Sequence, residues 1–292
     1  LENFPVINRL FLIAILVLLG ACSSLRKPVQ PEAKADADNT LHYALAQENQ
    51  GRDSAIDGYK NALAKYRCFA GIEGEAWALA GMARIQSADG DSLACRESLN
   101  MISGIIRDID PGLGYILDLT RLQILAARND WSAMLPYLNG YDAAPVLVKM
   151  HILSYGVQAK AYLNDPDPAL ANALAKLYDK IRKKAHKKGP DQALGVANAA
   201  YSLACHYYVR KDHSRALKLV EAALELDYLY GNFRGLGYDL WLKGRIHLAG
   251  GDTTSARSAL LKSQRVFDSM QNAAMLRAVQ AELDSITEGD GQ

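Results

Sequence analysis

This 292-residue chain has no apolar stretch long enough to cross a bilayer. The run "LFLIAILVLLGA", Leu10 to Ala21, holds twelve residues, against the ~20 that a transmembrane helix needs. Neither sign of charge is in surplus: 33 Lys and Arg face 32 Asp and Glu, a net charge of +1. That balance argues against a nucleic-acid binder. Phenylalanine is scarce, 5 in all, while Ala and Leu abound, a composition that favours helices packed through small residues. Cysteines number four with no CxxC spacing, so no disulfide framework is expected. Enzyme signatures are missing as well. The six histidines (His42, His151, His186, His206, His213, His247) form no HExxH or HxH, and no GxSxG, P-loop or GxGxxG occurs. No catalytic residue, metal or cofactor is expected. The paired carboxylates of "DPDP" (165–168) lie in a Pro-rich turn, where Asp167-Pro168 starts a helix.

The short apolar run has the length of a signal-peptide h-region. Arg9 precedes it, although Glu2 opposes that charge and the chain opens on Leu1 rather than Met. It ends Leu19-Gly20-Ala21-Cys22, an aliphatic residue, two small ones and a cysteine, which resembles a bacterial lipobox. The resemblance implies a signal peptide over 1–21 and lipidation at Cys22. The mature chain would be anchored rather than spanning, since several acyl chains on one residue give stable attachment. Ser23, where Asp would favour the inner membrane, implies the outer membrane facing the periplasm if the cell is Gram-negative. Residues 22–40, with Pro28, Pro31 and alternating charge, are expected to form a lipidated, flexible tether. Cys68, Cys95 and Cys205 are expected to be unpaired and buried in helices.

From Leu41 onward the periodicity is helical, and the chain resembles itself. "YSLACHYYVRKDHSRALKLVEAALELD" (201–227) aligns with "LWLKGRIHLAGGDTTSARSALLKSQRVFD" (240–268) at a spacing of 40. Ala204 matches Gly244, Tyr207 matches His247, Lys211-Asp212 matches Gly251-Asp252, Ala216 matches Ala256, Val220 matches Leu260 and Ala223 matches Ser263. Gly81, Gly90-Asp91 and Ala94, then Ala55, Tyr59 and Ala62, continue the pattern upstream. The unit at 117–138 is poorer, with Leu122 and Met134 at small-residue positions and Pro136 interrupting its second helix; "NDPDP" (164–168) breaks the next one. A repeat of this length means a solenoid. The pattern resembles the tetratricopeptide repeat (TPR), in which a small residue lets two antiparallel helices approach closely. The implied fold is all-α: a right-handed α-solenoid of about five to six TPR-like helix pairs over 41–288. A C-terminal capping helix with Asn272 as N-cap would cover the last apolar face. Residues 289–292 are expected to be a disordered tail.

In that family the first helix of each pair lines the concave face. The resemblance places Asn198, Tyr201, Tyr208, Tyr238, Trp241 and Arg245 there, with Cys205 and Leu248 beside them. Tyr, Trp and Arg are the residues of interface hot spots. A second candidate surface is "KLYDKIRKKAHKKG" (176–189). Its Lys180, Arg182, Lys183, Lys184, Lys187 and Lys188 either form a solvated helix end, with Gly189 as C-cap, or contact lipid phosphates or an acidic protein. The leading expectation is a membrane-anchored, extracytoplasmic scaffold that binds a protein or peptide partner in envelope assembly. The alternative is a ligand-binding lipoprotein serving a transporter, with residues 113–163 lining an apolar channel.

Overall fold

The computed structural model describes residues 31–289 except 52, 140, 142 and 143; the side chains of 186, 188 and 287–289 also fall outside the description. The expected signal peptide, Cys22 and residues 290–292 lie outside the described residues. Those described form thirteen α-helices and no strand. They are α1 (Glu32–Asn49), α2 (Ala55–Cys68), α3 (Ile72–Ala88), α4 (Ser92–Asp108), α5 (Gly114–Ala127), α6 (Val146–Tyr162) and α7 (Pro168–Arg182). After the single turn α8 (Ala185–Lys188) come α9 (Pro190–Val209), α10 (His213–Leu229), α11 (Phe233–Ala249), α12 (Thr253–Ser269) and α13 (Ala273–Gly289). None of them is long and apolar enough to cross a membrane.

One dipeptide device ends a helix and starts the next. Gly90, Lys211, Gly231, Gly251 and Gln271 take positive φ, from 55° to 82°, which terminates the preceding helix in a left-handed residue. The Asp or Asn that follows donates its N–H back into that helix: Asp91 to the Gln86 carbonyl, Asp212 to Tyr207 and Asp252 to His247, at 2.9–3.0 Å. Its side chain then accepts an amide of the next helix, at Ala94, Arg215, Gly235, Ser255 and Met275, over 3.0–3.2 Å. Asn272 is therefore an N-cap, and so is Asp167, which accepts from Ala169 and Leu170. Pro136 has the expected effect: the stretch after α5 is a 3-10 helix, Ser132–Tyr137, in place of an α-helix.

Consecutive helices pack against one another in chain order. Small residues make the close approach possible. Ala204, Ala216, Ala223 and Ala256 are fully buried, as are Val220, Leu260 and Ser263, so the positions aligned 40 residues apart share one environment. A Cβ on Gly244 would fall 2.7 Å from Leu260 Cγ, and one on Gly81 would strike the Tyr59 ring.

The chain departs from expectation at residues 32–40. These form the first half of α1 instead of a tether. "EAKADADNT" lacks proline after Pro31 and is rich in alanine, and Pro31 immediately ahead of the first turn is compatible with a helix start. Tertiary contacts hold it: Ala37 is buried, the Tyr66 hydroxyl donates to Asp38 at 2.6 Å, and Lys65 reaches Asp36 at 2.8 Å and Thr40 at 2.8 Å. The basic stretch also differs, since α7 stops at Arg182 and a separate turn leads to Gly189, whose φ is +100°.

The array curls so that α1 reaches helices late in the chain. α1 contacts α11, His42 of α1 bonds Asp191 at the start of α9 (2.9 Å), and Gly51 lies against Met270. Within 113–163, Leu122, Met134, Met150 and Ile152 are at most 1% exposed and packed between helices. The three described cysteines are free, with Cys95 and Cys205 buried and Cys68, at the end of α2, exposed.

Candidate partner-binding face

Helices α1, α3, α5, α6, α9, α11 and α13 turn polar side chains toward one another. Partners in this ladder are separated by nearly constant intervals along the chain. Glu48 and Arg84 are 36 residues apart, Arg84 and Gln123 39, Gln158 and Asn198 40, Tyr162 and Tyr201 39, and Trp241 and Glu282 41. Helix packing at the repeat spacing thus puts equivalent positions in hydrogen-bond contact.

At the α1–α5 end the ladder is closed. Arg84 grips Glu48 with two N–H groups, Nε to Oε1 at 2.9 Å and Nη2 to Oε2 at 2.7 Å. It also donates to the Tyr59 hydroxyl (3.1 Å) and to Gln123 (3.2 Å). The Tyr59 hydroxyl donates to Glu48. Burial alone would push the Glu48 carboxyl up, but the Arg84 charge and these hydrogen bonds outweigh it and hold it below the ordinary carboxylate range. Each oxygen of Glu48 is thus matched to the Arg84 guanidinium, and the pair ties α1 to α3.

The middle is also internally satisfied. Asn198 accepts from Gln158 (3.1 Å) and faces His151 Nδ1 (3.4 Å); burial pushes His151 down to about 4. Tyr201 is 8% exposed, with its hydroxyl 2.9 Å from that of Tyr162, whose ring stacks on Trp131 at 4.2 Å. Burial drives the neighbouring Cys205 thiol up to about 12, which keeps it protonated and unreactive. Asn198 and Tyr201 are thus committed to helix–helix contacts.

Toward the C-terminal end the face opens. Arg245 lies between two rings, 5.1 Å from the centre of Tyr208 and 4.8 Å from that of Trp241. Glu282, from α13, meets Arg245 Nε at 3.3 Å and accepts the Trp241 indole N–H at 3.1 Å. The other carboxylate oxygen of Glu282 is buried without a partner. Tyr238 continues the cluster edge-on to Tyr201 (6.5 Å) and Phe267 (5.2 Å). Tyr208, Tyr238, Trp241 and Arg245 all keep partial exposure. Four of the six residues placed on the concave face by resemblance therefore form one semi-exposed aromatic–arginine cluster. Glu282, Trp131 and Tyr162 were not singled out from the sequence, although the 40-residue spacing from Trp241 points at Glu282.

Lys180, Arg182, Lys183, Lys184 and Lys187 are exposed on α7, α8 and the turn between them, far from that cluster in the chain and on different helices. The side chain of Lys188 is outside the description, as is Cys22. Neither models of known protein families nor curated proteins match the chain.

Proposed function

We propose that this protein is a lipid-anchored, extracytoplasmic scaffold of TPR type. Its helices form a right-handed solenoid of six pairs, the third with a 3-10 second member, and α13 is the cap. Its role is to hold a protein or peptide partner in the cell envelope, on the periplasmic face of the outer membrane if the cell is Gram-negative. The observation that carries the reading is the Tyr208–Arg245–Trp241 stack. An arginine held between two rings keeps its geometry before any partner arrives, so little side-chain entropy is lost on binding. Partly exposed Tyr, Trp and Arg make a hot-spot surface. Anchoring is supported by Leu19-Gly20-Ala21-Cys22 after the apolar run.

Affinity capture from a membrane fraction tests the face, using the chain with and without Tyr208→Ala and Trp241→Ala. Loss of the same partner in both variants is expected, and a partner set indifferent to both sinks the proposal. Cys22→Ala is expected to move the protein from the membrane to the soluble fraction; retention in the membrane would overturn the anchor.

A further inference from the structure

Residues 176–188 hold seven Lys or Arg against the single acid Asp179, a net +6, while the whole chain carries +1, leaving −5 for everything else. Charge is therefore strongly segregated in a chain that looks neutral in bulk. Ile181 and Ala185, at 9% and 1% exposure, fasten the segment to the core, which turns Lys180, Lys183, Lys184 and Lys187 outward. Arg182 has a carboxylate partner, Asp179 at 2.9 Å, and lies over the Tyr178 ring at 5.5 Å. Among the described residues the four lysines make no ion pair. A helix dipole accounts for only part of the set: Lys180 lies in the last turn of α7 and Lys183 is its C-cap, whereas Lys187 lies on the following turn, past the end of that helix.

We infer that this lysine ridge docks onto an anionic lipid leaflet. An acidic protein would have to present carboxylates at the spacing of the lysines. A leaflet supplies negative headgroups at any spacing, which suits compact point charges on flexible, unpaired stems. The ridge also sits beside the first helix of the described residues, since His42 of α1 bonds Asp191, just past Lys188. Glu32 is ~15 Å back along α1, and the ten residues from Cys22 to Glu32 span at most ~36 Å. A lipid on Cys22 leaves the ridge within reach of the same surface. The inference rests on the anchored reading for its biological setting but not for its test. Its consequence is a fixed orientation of the solenoid on the membrane, in place of free swinging about one attachment point.

Each lysine near an anionic surface contributes about a fivefold gain in partitioning, so four give a combined effect on the order of several hundredfold. The full chain is partitioned onto neutral phosphatidylcholine vesicles and onto vesicles that also contain phosphatidylglycerol, and the ratio of the two is read. The apolar Leu10–Ala21 stretch and any acyl chains act on both kinds of vesicle, so they cancel. A ratio on the order of a hundred or more is expected at low salt, falling steeply at ~0.3 M salt. In the quadruple Lys→Gln variant (180, 183, 184, 187) it should approach unity, with Tm unchanged, and the corresponding Lys→Arg variant should retain it. A ratio near one for the unaltered chain, or one the Gln variant does not lower, overturns the proposal. So does binding to soluble polyglutamate without preference for anionic vesicles. Tyr208→Ala and Trp241→Ala leave the ratio unchanged on this view, so the partner face and the ridge can fail separately.

Discussion

Arg84→Met tests the closed end of the ladder most directly. The guanidinium joins α3 to α1, α2 and α5 through four hydrogen bonds. The side chains of Arg84 and Glu48 are 13% and 6% exposed. Methionine fills much of the volume but leaves the Glu48 carboxylate buried, with the Tyr59 hydroxyl and the charge of Arg234 in place of a direct guanidinium partner. Removing one partner of such a pair costs roughly 3–5 kcal/mol. For a domain of this size that is a fall in Tm of about 6–10 °C. The deficit should depend on pH. Without Arg84, burial raises the Glu48 pKa in the folded state above its unfolded value, so stability drops as pH rises between those two values, and the variant should be closer to wild type at pH ~5 than at pH ~7. Adding Glu48→Gln removes the orphaned charge and should recover at least half of the loss. Urea denaturation of the four species measures the coupling, and hydrogen exchange should place the loss in α1–α5. A deficit under ~1 kcal/mol, or losses that simply add in the double variant, would refute the account of a desolvated, mutually dependent pair.

Two further changes probe the packing. Asp227 and Asp239 face one another across the α10–α11 turn at 4% and 1% exposure, and one oxygen of Asp239 has no partner. Burial raises Asp227 to about 7, and burial followed by the Asp227 charge raises Asp239. Folded-state pKa values above the unfolded ones favour the fold at low pH, so stability should decline from pH ~4 to ~7, by up to roughly 4 kcal/mol. Asp239→Asn supplies a donor to Asp227 without a proton and should flatten that decline in thermal melts; an unchanged pH profile would exclude a shared proton. Gly244→Val puts methyl groups where even a Cβ would lie 2.7 Å from Leu260. It should cost ~1–3 kcal/mol through overpacking, and full stability by urea denaturation would show that α11 and α12 are less closely packed than described.

Much of the helical framework is legible in the sequence because its signals are local. Asp and Asn after a Gly or another left-handed residue mark where helices end and restart, and the 40-residue echo of small residues marks where they approach. Both follow from steric rules that act within a turn or two. Proline content fails as a guide at 32–40 for the opposite reason. Nothing local distinguishes a charged, alanine-rich helix from a tether; Tyr66 and Lys65, 25 or more residues away, decide it. The same division runs through the candidate sites. Tyr208, Tyr238, Trp241 and Arg245 could be placed on one face by register. That Asn198 and Tyr201 on the same face are taken up by internal partners could not, because Gln158 and Tyr162 belong to a less regular pair of helices. What the sequence determined by itself is the alternation of helix and turn, together with the segregation of positive charge at 176–188. What only the tertiary structure decided is which polar groups are spent inside and which remain free. The way successive helices pack sets how near the facing ones come, and that distance is a sum of many small packing angles that no single residue encodes.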